Sequence, residues 1–368
     1  MAKSRLHELS ELGQSVWIDY LSRHLLQSGE LARMMEEDAV VGVTSNPTIF
    51  QKAIAEGDAY DEQMREVLAE EQDAKEVFLK LAVQDVKNAC DLLRPVWDGG
   101  KGQDGYVSIE VDPNLAGDTQ GTIDEAQRLH ELVDKPNCFV KIPATVEGLP
   151  AIEEMIARGR SINVTLIFSL QRYVEVVEAY VRGLERLVES GGDPGPVASV
   201  ASFFVSRVDT EADQRLDEAG APEDLKGKLA VANAKLAYQR YKELFSGDRW
   251  AALEAKGARS QRCLWASTST KNPDYRDVIY VEELIGPETV NTMPEETIDA
   301  FQDHGEVALT LERDLDEAKR VFERVAEAGV DYDDVVATLE REGVDKFADS
   351  FKELLDGVQA KRGELVSA

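Results

Sequence analysis

Lys141 stands alone as a charge inside the apolar run Cys138-Phe139-Val140-Lys141-Ile142-Pro143-Ala144-Thr145. Burying an ammonium group is costly, and burial in general lowers a lysine pKa by up to ~3–5 units from a reference of about 10.4. An amine that is neutral near pH 7 is a nucleophile and forms Schiff bases with carbonyl substrates. The competing reading is a strand-end lysine whose stem is buried and whose head reaches water. The local run by itself leaves both open.

Other polar residues recur at the ends of short apolar runs. Asp19 closes Val16-Trp17-Ile18-Asp19, and Asn46 follows Val40–Thr44 in Thr44-Ser45-Asn46-Pro47. Glu110 lies in Tyr106–Val111, and Asn163 and Thr165 lie in Ile162–Ile167. Ser202 and Arg207 sit on or just after Val200–Val205, and Ser267 ends Cys263–Ser267. Asp19 and Asn46 have a purely structural alternative, bonding turn amides or capping the next helix. Glu110 alternates with apolar neighbours as a solvent-facing strand residue would. In a parallel sheet covered on both faces, however, an outward carboxylate would lack water, so an inward position near an open end is expected. Around Lys141 such a set has the parts of an aldol site working through an imine. The amine attacks a ketone, an acid and a positioned water remove the carbinolamine hydroxyl, and a second carboxylate takes a hydroxyl proton as the carbon–carbon bond breaks. Amides and hydroxyls would read a polyol. This chemistry calls for no metal or organic cofactor.

Such residues must be brought together by the elements that carry them. Eight strand-like runs, the last being Thr289–Thr292, alternate with longer amphipathic segments. Phe78, Ala82, Val86, Ala89 and Leu93 recur at steps of three or four, and Leu170–Leu187 and Leu225–Leu244 read as helices in the same way. The pattern predicts an α/β fold, a (β/α)8 TIM barrel, whose catalytic groups come from the C-terminal ends of several strands. An open doubly wound sheet would want a glycine-rich phosphate turn after its first strand, and Val16-Trp17-Ile18-Asp19-Tyr20-Leu21 supplies none. The glycine-rich stretches Asp98–Gly105 and Ser190–Pro196 precede strands and are expected to be flexible connectors. A single domain over 1–368 is expected, with strand–helix units to about 294 and additional C-terminal helices over 295–368 packed on the barrel. The latter should comprise a stripe through Val307, Leu311, Leu315, Ala318, Phe322 and Val325, a helix from near Asp333, and another after Gly343 around Phe347 and Phe351.

Composition narrows the partners. A hydrophobic content of 43% suits a large core, while a formal charge of −30 argues against nucleic acid and against an anionic membrane surface. Anionic substrates must then be held by a few local cations. Cys90, Cys138 and Cys263 are too scattered for a disulfide framework and are expected to pack. His7, His24, His130 and His304 lack metal-ligand spacing. The segment Met1–His7 has no apolar signal core, and no run of about 18 apolar residues occurs, so a soluble, cytoplasmic protein is expected.

The segments Thr44-Ser45-Asn46-Pro47-Thr48-Ile49-Phe50, Val140-Lys141-Ile142-Pro143-Ala144-Thr145 and Ile162-Asn163-Val164-Thr165-Leu166-Ile167-Phe168 resemble the signature segments of transaldolases. Trp17-Ile18-Asp19 and Ser202-Phe203-Phe204-Val205-Ser206-Arg207 extend the resemblance, which runs from about Leu12 to Met293. Trp265–Pro273 looks most like the larger bacterial branch, some of whose members are fused to a phosphoglucose isomerase, a partner domain this chain is expected to lack. The resemblance implies a class I aldolase barrel with its Schiff-base lysine on strand four. It implies transfer of a dihydroxyacetone unit between sugar phosphates, from sedoheptulose 7-phosphate or fructose 6-phosphate to an aldose phosphate. By position, Lys141 would be the nucleophile and Asp19 the acid/base for carbon–carbon cleavage. Glu110 and Thr165 would hold the catalytic water; Asn46, Asn163 and Ser202 would bind hydroxyls; Arg207 would grip the phosphate. One departure stands out: where many transaldolases have a second arginine, two residues after Ser267, this chain has Ser269. Lys271 is the nearest cation and either substitutes for it or is an ordinary surface lysine.

Two rivals remain at this level. One is a free fructose-6-phosphate or dihydroxyacetone aldolase on the same scaffold; some such relatives carry Tyr where Glu110 stands. The other is a non-catalytic sugar-phosphate binding barrel, for which Lys141, Asp19 and Glu110 would be superfluous. The chain is expected to be a monomer or a homodimer.

Overall fold

The computed structural model describes residues 4–55 and 57–367. The expected absence of a signal core concerns in part Met1, Ala2 and Lys3, which lie outside those residues. Eight parallel strands close in sequence order into a barrel: β1 (Gln14–Asp19), β2 (Val40–Thr44), β3 (Tyr106–Glu110), β4 (Cys138–Pro143), β5 (Ile162–Ile167), β6 (Ser199–Phe204), β7 (Arg262–Ala266) and β8 (Thr289–Met293). Alternation decides which residues enter the barrel. On β4, Val140 and Ile142 are buried against the surrounding helices while Phe139 and Lys141 point into the lumen. The floor of the lumen is aromatic: Tyr106 and Phe139 stack at 4.0 Å between ring centroids, and Trp17 lies 6.1 Å from Phe139. Gly42 is required beside it, because a Cβ there would sit 2.5 Å from the Trp17 indole.

The helices return the chain outside the barrel, as in Ala74–Gly99 and Leu170–Glu189. The expected helix over 225–244 begins at Leu229, after a 3-10 turn at Glu223–Leu225. The Asp98–Gly105 stretch is bound tightly to the bottom of the barrel. Asp104 accepts from Ser15 Oγ (2.8 Å) and from Trp17 Nε1 (3.0 Å), and pairs with Arg262 at 3.0 Å.

The C-terminal part differs from its expected organisation. After Glu295–His304 the chain leaves helical geometry, and Val307 and Leu311 do not join the stripe that continues in Leu315–Glu327. The amides of Thr310 and Leu311 instead bond the Ile285 carbonyl, both at 3.1 Å. The two expected last helices are one helix, Tyr332–Ser367. Gly343, read as a break, is an approach point: a Cβ there would lie 3.1 Å from Leu166 and 3.5 Å from Phe168. The missing side chain lets the helix lie across the mouth of the barrel near β5. No helix among the described residues is long and apolar enough to cross a membrane.

Candidate active site

Register places the central residues. Glu110 on β3 pairs with Lys141 on β4, and Lys141 with Asn163 on β5, so three adjacent strands present a carboxylate, an amine and an amide in one row. Thr165 lies opposite Pro143 in the next row toward the mouth. A register shift between Val164 and Ile167, with Leu166 at φ +58°, accompanies its presentation. Across the barrel Asp19 pairs with Thr44.

Lys141 Nζ donates to the Ser45 carbonyl at 2.7 Å and lies 3.7 Å from Glu110 Oε2. Their side chains are 9% and 10% exposed, so neither is well hydrated. At that separation the attraction is about 4 kcal/mol with an effective dielectric constant near 20, whereas desolvation costs several kcal/mol for each ion. The pair does not offset its own burial. Glu110 shows the result: burial pushes its carboxyl up to about 7, against the opposing pull of the Lys141 charge. Asp19 is also raised, first by burial, with Lys141 and the Thr44 hydroxyl acting the other way. Thr44 Oγ1 donates to Asp19 Oδ1 at 2.7 Å and is itself 2.7 Å from Thr292 Oγ1. Around Lys141, two buried oxygens have no hydrogen-bond partner among the described residues, Glu110 Oε2 and Thr165 Oγ1.

The polar wall is ordered by a short chain of bonds. Ser202 Oγ donates to Asn163 Oδ1 at 2.7 Å, and Asn163 Nδ2 donates to Ser108 Oγ at 3.2 Å. Asn46 Oδ1 accepts from the Ile49 amide at 3.1 Å, capping the helix Pro47–Ala55. Its structural role is therefore real, and its amide nitrogen remains for the cleft. Ser267 falls just past β7 at φ +57°, and its Oγ lies 2.9 Å from Ser206 Oγ. Arg207 stands over the Phe204 ring at 5.2 Å, and Lys271 Nζ donates to Ser269 Oγ at 2.7 Å. Asp19, Asn46, Lys141, Asn163, Thr165, Ser202, Arg207, Ser267 and Lys271 all line one cleft of about 710 Å³. Glu110 lies beneath it against Lys141. A groove of about 610 Å³ between Leu229–Leu244 and Leu315–Glu327 is of similar size. Its wall carries the Lys235–Glu283 ion pair at 2.9 Å and no comparable nucleophile–acid arrangement, so volume alone does not locate the chemistry.

Several lining residues were not picked out from the sequence. Thr44 and Phe204 lay within recognised segments and could have been read from their place at strand ends. Phe347 also faces the cleft, yet it comes from the C-terminal helix and no local signal announces it. A further arrangement supports the segment bearing Lys271. On the helix Ser206–Ala219, Asp209 accepts from the Ala230 amide (2.7 Å) and the Tyr280 hydroxyl (2.8 Å). One turn on, Asp213 accepts from the Gly227 amide (2.9 Å) and the Tyr275 hydroxyl (2.6 Å). Two carboxylates spaced i, i+4 repel on an isolated helix, a signal that they answer to partners elsewhere.

Comparison with known proteins gives a consistent result. Residues 16–358 match the family model described as transaldolase/fructose-6-phosphate aldolase. The transaldolase of Frankia alni is 54% identical over 361 residues, covering 97% of each chain. That of Mycolicibacterium paratuberculosis is 53% identical over 362 residues, again 97% of each, and that of Acidothermus cellulolyticus is 54% identical over 355 residues, 96% of this chain and 95% of the other. A match across nearly the whole length, with the barrel and the lysine-centred cleft, leads to one assignment: this chain belongs to the transaldolase/fructose-6-phosphate aldolase family of enzymes.

Proposed function

We propose that the protein is a transaldolase, moving a dihydroxyacetone unit from sedoheptulose 7-phosphate to glyceraldehyde 3-phosphate and yielding erythrose 4-phosphate and fructose 6-phosphate. The observation that carries the reading is Lys141: an amine held in the lumen, 3.7 Å from a carboxyl pushed up to about 7. Unprotonated Nζ attacks the C2 carbonyl of the ketose, and loss of water leaves a protonated imine. Glu110 suits the dehydration step, since a carboxyl with that affinity can hold a proton near neutrality and give it to the departing hydroxyl. Glu110 Oε2 and Thr165 Oγ1, neither of them hydrogen-bonded to the protein, are suited to holding the water concerned. Asp19 takes the proton from the C4 hydroxyl; the C3–C4 bond breaks, its electrons pass into the imine, and an enamine forms as the aldose phosphate departs. Addition of the acceptor aldehyde reverses these steps. Asn46, Asn163 and Ser202 bind the hydroxyls of the three-carbon unit. Arg207 grips the phosphate, with Lys271 as its second, point-charge partner.

Retention of the enamine separates a transferase from an aldolase that releases free dihydroxyacetone. Glu110, in place of the tyrosine of some aldolase relatives, favours transfer. The names of the relatives agree with it. A cytoplasmic setting suits such central sugar-phosphate chemistry. The test is borohydride reduction in the presence of fructose 6-phosphate with peptide mapping. The expected adduct is on Lys141, and dihydroxyacetone release without an acceptor is expected to be slow against transfer to erythrose 4-phosphate. Binding without an adduct would return the protein to the sugar-phosphate binders.

A further inference from the structure

Outside the cleft the mouth widens into a vestibule of about 1020 Å³, which shares Asp19, Asn46, Arg207, Lys271 and Phe347 with it. Its outer wall is built from two elements distant in sequence, the helix Pro47–Ala55 and the C-terminal helix Tyr332–Ser367. They are joined there by the Thr48 Oγ1 to Ser350 Oγ hydrogen bond of 3.0 Å. Each contributes a lysine to the vestibule, Lys52 and Lys346. Lys346 is 2.9 Å from Glu342 on its own helix. The Lys52 side chain, inside the helix Pro47–Ala55, has no ion pair or hydrogen bond among the described residues, although the chain carries 71 acidic residues against 41 basic ones. Elsewhere on this molecule cations are matched by carboxylates, as Arg33, Arg186 and Arg249 are, whereas of the four that line the vestibule only Lys346 has an ion pair among the described residues.

A net charge of −30 repels a sugar phosphate at long range, so productive encounter needs a local reversal of potential at the entrance. Arg207, Lys271 and Lys52 supply it along one path from the vestibule to the cleft, with Lys346 beside them. We propose that the vestibule is a second, outer anion subsite, in which Lys52 and Lys346 hold the phosphate of the aldose phosphate that enters or leaves while the enamine remains on Lys141. The inference rests on the transaldolase reading, which makes one aldose phosphate leave and another arrive at the same covalent intermediate. A single inner phosphate grip cannot hold both at once. The outer subsite gives the departing dianion a place to move to and captures the arriving one before it reaches Arg207.

The full-length protein is assayed with inorganic phosphate as a competitive probe against fructose 6-phosphate, and kcat/KM is followed over increasing NaCl. Lys52→Gln is expected to raise the phosphate inhibition constant by about 3–10-fold and flatten the salt dependence, as removal of one steering charge does. Lys346→Gln is expected to do so less, because Glu342 is released, and Lys52→Arg is expected to restore wild-type behaviour. Unchanged inhibition and salt dependence in Lys52→Gln would overturn the subsite. So would a Lys52→Arg protein that behaves like Lys52→Gln, since the effect would then not be one of charge. Failure of borohydride trapping in the wild-type protein would instead remove the transaldolase reading on which the subsite depends.

Discussion

The two ends of the barrel each bury a cation beside a carboxylate, and they treat the pair in opposite ways. At the bottom, Arg262 and Asp104 are 3.0 Å apart, and both terminal nitrogens of the guanidinium are hydrogen-bonded. Arg262 Nη1 donates to Ser15 Oγ at 2.9 Å and Nη2 to the Gln103 carbonyl at 2.6 Å, while Asp104 also accepts from Ser15 and Trp17. At the mouth, Lys141 and Glu110 stand 3.7 Å apart, the glutamate oxygen nearest the amine has no hydrogen-bond partner, and the carboxyl is pushed up to about 7. A buried ion pair stabilises only when hydrogen bonds complete it, and the bottom pair meets that condition where the top pair does not. The first serves to close the barrel. The second keeps an amine and an acid incompletely satisfied, which leaves them free to react with a carbonyl.

The largest expected effect breaks the mouth. Lys141→Ala should lower kcat by more than about 10⁴-fold, in line with the loss of a covalent nucleophile, and abolish the borohydride adduct. Urea unfolding should show no comparable loss of stability. If activity survives with the adduct gone, the reaction does not pass through this amine.

Breaking the bottom should do the converse. Arg262→Met leaves the half-buried Asp104 without its counter-charge and is expected to cost stability in chemical denaturation, toward the low end of the roughly 3–5 kcal/mol of a fully buried pair. Near-normal kcat per folded molecule should remain, because the altered group lies on the face of the barrel away from the strands' C-terminal ends. A large fall in kcat with unaltered stability would contradict the division drawn between the two ends.

A pH series sharpens the contrast. Glu110 ionises near 4.5 when unperturbed and near 7 in the folded protein. Between those values the native state holds a proton that the unfolded chain has released, so this group makes stability fall as pH rises through the window and level off above it. Glu110→Gln should therefore gain stability of the order of 3 kcal/mol at pH 8 relative to wild type and little at pH 4.5, by the linkage of one pKa unit to 1.36 kcal/mol. Its kcat should fall, with slower formation of the trapped imine. A gain independent of pH would mean that burial of the charge is not what the substitution relieves.

The smallest effect concerns the support of the phosphate grip. Tyr275→Phe removes the 2.6 Å bond to Asp213 that ties the Lys271 segment to the helix beginning at Ser206 and Arg207. A single hydrogen bond to a charged group is worth about 1.5–3 kcal/mol, part of which should appear as a KM for fructose 6-phosphate raised about 3–10-fold with kcat nearly unchanged. Equal changes in kcat and KM would point to general loosening of the barrel.

Much of this was legible in the chain. Alternating apolar runs and helical stripes are local periodicities, so β1 to β8 and their order could be read directly. Polar residues at strand ends follow from the same alternation, which is why Asp19, Glu110, Lys141, Asn163, Thr165 and Ser202 could be named before they were seen together. The C-terminal part is less legible. Val307 and Leu311 have helical spacing, but their segment follows the bonds offered by Ile285, and Gly343 reads as a breaker when it is a contact point. The Asp98–Gly105 stretch has the composition of a loose connector, yet Asp104 is tied to three side chains. Local propensity has no knowledge of a partner distant along the chain.

The sequence by itself determined the strand order, the side of each strand on which chemistry could lie, and the family. The first two follow from local pattern along the chain, and the family from the resemblance of its motif segments. Only the tertiary structure decided which of two buried ion pairs would be completed and which left wanting. It also decided that a helix near the C-terminus would bring Phe347 and Lys346 over the mouth. Burial and partner geometry are properties of the closed barrel, and they set the free energy of a charge far more than its place in the sequence does.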